Sequence, residues 1–284
     1  MRDDATAAGW LERSYRRAKG GRVAFVDEAY RGFERKGETP FYIATAVVVE
    51  TQYMEATRED LVGIAGGTYW HTTEAMRSPD GPARIVEMLR YLADGEEVCM
   101  MSVQREIARS DHDLETARRE CLSGLARALH VGTPIAGNTM VIEKRNTDRA
   151  RKQDSQLLPE LVKHGHVDQR FRVHQASPSE DRLLWLPDLV AHAARRDLAL
   201  RRPELYGEIK ERVIEVAPVV STEKASSPDL AALQPRSVAE LLNDAMPRRG
   251  QAVQRPVQDR KRNGIGLPDN QLDLDHNRDL GTTP

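Results

Sequence analysis

The sequence predicts an α/β protein: a mixed five-stranded sheet flanked by helices, with a helical C-terminal extension. Three observations carry this reading. Phe41 to Glu50, FYIATAVVVE, is continuous and β-branched, the pattern of a strand buried on both faces. Asp111 to His130 sets Leu114, Ala117, Cys121, Leu125 and Leu129 on one helical face. Between and beyond these, short apolar runs alternate with segments of helical period.

In chain order, residues 1–20 form a polar, Arg-rich N-terminal extension, with Trp10 and Leu11 as apolar anchors of a short helix. Val23 to Val26 read as the first strand, which runs into two carboxylates, Asp27 and Glu28. The link YRGFERKGETP, rich in Gly and charge and ending in Pro40, suits a hairpin loop to Phe41. Residues 53–65 predict a helix, stopped by Gly66-Gly67. Pro82 to Ala93 has apolar positions at helical spacing and Pro at its start. Glu97 to Val103 is the third strand.

Asn138 to Ile142 is the fourth strand and again runs into an acid, Glu143. Residues 154–164 predict a short helix, and Phe171 to His174 a brief fifth strand. Ser177, Pro178 and Glu180 have capping-box spacing. Pro187 cannot sit deep in an unbroken helix, so the next helix either starts nearer Leu184 or kinks at Pro187. Glu204 to Val216 and Ser237 to Met246 read as further helices, making 203–246 a helical extension of a main domain at 21–202. From 247 to 284 no period remains, and a basic then acidic composition predicts a disordered tail.

The bulk numbers exclude several classes. With 42 basic and 44 acidic residues, no global field draws in nucleic acid, so any such partner needs a local basic face. The two cysteines, Cys99 and Cys121, lie in apolar surroundings with no metal-type spacing and no disulfide framework. No run approaches the ~20 apolar residues of a membrane span. The first residues, MRDDATAAGWLERSYRR, have no apolar core of a secretory signal, which predicts a cytoplasmic chain. Phosphate-loop, GxGxxG and GxSxG patterns are all missing from the sequence.

What remains is a set of acids. Asp27 with Glu28, and Glu143, end strands, while Asp188 sits on an apolar helix among Leu184, Trp185, Leu186, Leu189 and Val190. Any one of them alone reads as a surface or salt-bridged residue. Burying a carboxylate costs several kcal/mol unless it is paired or on a metal. Strand-end acids can converge at one edge of a sheet, and a following helix can deliver a third. Such hard oxygen donors suit Mg2+ or Mn2+, two of which about 4 Å apart can clamp a phosphodiester. His71, before Thr72-Thr73-Glu74, also reads as a turn entering a helix. Asp111-His112-Asp113 looks like a ligand set but precedes a helix, where acids cap.

The order of these elements, with VAFVDEA at the head and LLWLPDLVAHAARR at the end, resembles the bacterial domain of unknown function 3800 family, thought to share the ribonuclease H-like fold. Val26-Asp27-Glu28-Ala29 is similar to the family's opening Asp-Glu-Ser motif, with Ala29 where Ser is usual. Leu184 to Arg196 is similar to its closing helix, with Trp185 for Gln, Pro187 for Ala and His192 for Gly. YWHTTEAMR, 69–77, looks like its short His-containing segment. The resemblance covers roughly residues 22–200.

It implies a ribonuclease H-like sheet, its first three strands antiparallel, and a two-metal nuclease site for DNA or RNA. Asp27, Glu143 and Asp188 would be metal ligands, and Glu28 either a nearby ligand or an acid standing behind them. His71 and Glu74 would assist proton transfer or grip substrate, and Lys144 and Arg145 would hold phosphate. The alternative is a catalytically inactive binding or assembly protein on the same fold, with the C-terminal helices joining copies or a protein partner. A nucleotide-processing enzyme using the same cluster is the third reading.

Overall fold

A computed structural model describes residues 7–18, 21–33, 38–131 and 137–219. The predicted helix at Ser237 to Met246 and the tail at 247–284 lie outside the described residues. The α/β class holds, but the sheet has six strands rather than five, in the order β5-β4-β1-β2-β3-β6. These are β1 (Arg22–Arg31), β2 (Phe41–Glu50), β3 (Val98–Gln104), β4 (Thr139–Glu143), β5 (Arg172–Ala176) and β6 (Val213–Val216). β2 is antiparallel to both β1 and β3, whereas β4 on β1, β5 on β4 and β6 on β3 are all parallel. The expected antiparallel run of the first three strands is present, and β2 alone opposes the rest.

The sixth strand overturns the reading of Glu204 to Val216 as one helix. That stretch is a short helix α8 (Glu204–Gly207), a single 3-10 turn (Lys210–Arg212) and then β6. Helical spacing gave way because Val213 to Val216 find a free parallel edge on β3, where Met100 pairs with Ile214.

Helices cover both faces. β1 divides the core by simple alternation. Val23 and Phe25 pack with α1 (Ala7–Tyr15), α2 (Met54–Ala65), α4 (Gly81–Asp94) and α7 (Trp185–Leu200). Ala24 and Val26 pack on the other side with α5 (Glu115–Val131) and α6 (Asp148–Lys163). The remaining helix is the single turn α3 (Thr72–Ala75), which follows α2 after Gly66 has ended it in the left-handed region at φ 69°. No described helix is long and apolar enough to cross a membrane.

Local chemistry explains the remaining boundaries. The carboxylate of Asp111 accepts the N–H groups of Thr116 and Ala117 at 3.0 and 2.9 Å, so it caps α5 as expected of a pre-helix acid. α6 starts six residues before the predicted Asp154, because Thr147 caps it by accepting the N–H of Ala150 at 3.2 Å. The Ser177–Glu180 pair does form, at 2.7 Å from the Ser177 N–H, but it closes a turn ahead of α7 rather than opening the helix. α7 starts at Trp185, which leaves Pro187 in the first turn, where its missing N–H has no intrahelical partner to lose.

Candidate active site

β1 does not end at its acids. It continues to Arg31, pairing Asp27 with Thr45 and Glu28 with Ala44 of β2. The two carboxylates therefore leave the strand on opposite faces, and only one of them meets the other predicted ligands. Asp27 lies on the α7 side. One residue past the last paired position of β1 and β4, Val26 with Ile142, it stands beside Glu143. The Glu143 side chain is within hydrogen-bonding reach of Asp27, and Asp188 is close enough to both to act on them by charge.

Burial is the largest cause that holds Asp27 well above the usual carboxylate range, followed by the charges of Asp188 and Glu143. Glu143 is raised too, by burial and then by Asp188. Asp188 is raised by burial alone, against donors that favour its charge. Those donors are the backbone N–H and the hydroxyl of Thr72, both on Asp188 Oδ2 at 3.1 and 2.8 Å. No Lys or Arg ion-pairs with any of the three acids among the described residues.

Three anchors fix the start of α7 and with it Asp188. Buried Asp181 accepts the Tyr15 hydroxyl at 2.8 Å, the Arg58 guanidinium at 2.8 Å, and the Leu183 N–H at 3.0 Å. The buried Thr45 hydroxyl donates to the Pro187 carbonyl at 2.9 Å, tying β2 to the helix beside Asp188. Thr72 supplies the third, and its own hydroxyl accepts Trp70 Nε1–H at 3.0 Å. Thr45 carried no signal in the sequence, and Thr72 stood out only as part of the segment 69–77. A threonine donor becomes visible only once the fold brings its acceptor to it.

His71 is exposed and caps α3, with the Thr73 N–H donating to its Nδ1 at 3.3 Å. The capping half of its sequence reading is therefore present. It also lies near enough to Glu143 and Asp188 to favour their ionised forms. Glu74 accepts the hydroxyl of Tyr69 at 3.1 Å. Lys144 is exposed immediately after Glu143, with its backbone N–H held by the Ala176 carbonyl.

Two predicted residues do not join the acids. Glu28 faces α5, where the Arg118 guanidinium lies at 2.8 Å and the Tyr42 hydroxyl donates at 2.7 Å. Arg145 ion-pairs with Glu115 and with Asp154, the latter at 3.0 Å, and Arg118 bridges Glu28 to the same Asp154. Strand alternation is the reason for Glu28: with Asp27 on one face, its neighbour takes the other. Arg145 follows the end of β4 and is drawn away by the carboxylates of Glu115 and Asp154. Glu28 and Arg145 both belong to a partly buried ionic network around Arg118 and Asp154.

Among the described residues, no group of three or more His, Cys, Asp and Glu side chains forms a ready-made metal cage. Asp27, Glu143 and Asp188 are partly exposed neighbours, each with its ionised form disfavoured by burial. No protein-family model matches the chain, and no curated protein matches it.

Proposed function

We propose that this chain is a metal-dependent nuclease that hydrolyses phosphodiester bonds in DNA or RNA on a ribonuclease H-like fold. The observation that carries the reading is the set of three carboxylates, Asp27, Glu143 and Asp188, gathered from two neighbouring strands and a helix with no cationic side chain paired to them among the described residues. Carboxylates crowded this way lose stability unless a cation offsets them. Their hard oxygen donors fit Mg2+ or Mn2+, and these three residues would hold the metal. When bound, such ions polarise the phosphoryl group and stabilise the attacking and leaving oxygens.

The protein's own groups orient and move protons. Thr72 holds Asp188 by two hydrogen bonds, and Thr45 holds the turn that carries it. His71, exposed beside Glu143 and Asp188, is suited to pass a proton to a leaving oxygen. Lys144 is suited to a phosphate oxygen. The sheet order, with β2 alone reversed and the acids on adjacent β1 and β4, supports the ribonuclease H-like reading.

The test is a calorimetric Mn2+ titration of the wild type and Asp27→Asn, paired with cleavage of labelled single- and double-stranded DNA and RNA. Binding and metal-dependent cleavage that vanish together in the variant are the expected result. Absence of Mn2+ binding in the wild type, with and without nucleic acid, would refute it and leave a binding or assembly protein.

A further inference from the structure

The segment that holds Asp188 also presents an aromatic ring to solvent. Tyr69 is 68% exposed, the highest value among the large hydrophobic residues described as exposed. Single exposed aromatics are common and need no function. This one differs in how firmly it is held. Its neighbour Trp70 is buried at 7% exposure and donates to Thr72, which in turn is bonded to Asp188. The Tyr69 hydroxyl is itself bonded to Glu74 of α3. Both the backbone and the ring tip are therefore fixed while the ring face stays open.

Position gives the ring its meaning. Three residues of chain separate Tyr69 from Thr72, a span of about 10 Å at most. The Tyr69 backbone therefore lies within about 10 Å of the residue that bonds Asp188, the scale of one or two nucleotides. Resting on the nuclease reading, we propose that Tyr69 is a stacking platform for an unpaired base of the substrate, so that the preferred substrate is single-stranded nucleic acid or a single-stranded end. A π-face accepts any base, and base–aromatic stacking is worth enough to set affinity without sequence readout. A paired duplex keeps its base faces covered and offers nothing to this ring.

Fluorescence anisotropy tests this on the full chain, using a labelled oligothymidylate, an abasic strand of equal length and a duplex. Tyr69→Ala should weaken oligothymidylate binding about 5- to 150-fold, with the abasic strand and the duplex unchanged. Tyr69→Trp should restore affinity to near the wild-type value, which a merely structural role for Tyr69 would not require. Equal oligothymidylate affinity for Tyr69→Ala and wild type would overturn the proposal, as would an equal loss on the abasic strand. Cleavage assays of the same proteins separate the two readings. Cleavage with no dependence on Tyr69 retires the stacking role alone, and Tyr69-dependent binding without cleavage retires the nuclease alone.

Discussion

Thr72→Val replaces one hydroxyl by a methyl at a residue with no solvent exposure, so the shape is kept and only hydrogen bonds change. Two are lost. The bond to Asp188 at 2.8 Å has a charged acceptor, a class worth about 1.5–3 kcal/mol. The Trp70 Nε1–H, 3.0 Å from the same hydroxyl, is left without its acceptor inside the core, which costs about 1–3 kcal/mol. The backbone N–H of Thr72 still reaches Asp188 and limits the damage. Together the loss should be about 2–5 kcal/mol, which for a domain of this size lowers Tm by roughly 5–15 °C. Thermal unfolding followed by circular dichroism reads it. Thr72→Ser keeps the hydroxyl and gives up one methyl group, about 1 kcal/mol, and should recover most of the shift. If Val and Ser melt together, or if Val melts with the wild type, the hydroxyl does not hold Asp188.

Two further expectations concern the rest of the molecule. Arg118→Met leaves Glu28 with only the Tyr42 hydroxyl and Asp154 with only Arg145, and should cost about 3 kcal/mol in urea unfolding, the lower end for breaking a buried pair; a loss below about 1 kcal/mol, the range of an exposed pair, would mean that water screens the network. His174 sits under Trp10 with its Nε2 against the Ser14 hydroxyl, and burial pushes its pKa down to about 4. Below an unfolded value of about 6.5 the unfolded chain then binds more protons, so stability should fall as pH drops from about 6.5 to about 4 and level off beneath. In a His174→Gln variant this part of the pH dependence should vanish, and parallel wild-type and variant curves would contradict the assignment.

The parts of the fold that were legible are those whose signal is local. Phe41 to Glu50 matches β2 to the residue because both faces are buried and every position says so. The α5 cap at Asp111 and the α2 stop at Gly66 are equally local. β1 was read short because Asp27 and Glu28 resemble a strand end, and the partner that lets Glu28 remain in the strand, Arg118, is 90 residues away. β6 has four residues and one buried side chain, Ile214, so its pairing with β3 left almost no trace. Of the predicted acids, Asp27, Glu143 and Asp188 could be chosen because each interrupts an apolar pattern. The side on which Glu28 falls depended on strand phase, and the place of Arg145 on the counter-charges of Glu115 and Asp154, neither of which a motif records.

The adjacent pair Asp27-Glu28 gives the two faces of the sheet opposite treatments of an acid. On one side an acid is kept exposed to crowding and repulsion; on the other its neighbour is neutralised by Arg118. A substitution among the acids on the α7 side leaves the Arg118–Asp154–Arg145 cluster intact. The acids on the α7 side can therefore change without disturbing the ion pairs that hold α5 and α6 to the sheet. An inserted residue in β1 would break this independence, because a single-step slip exchanges the two faces.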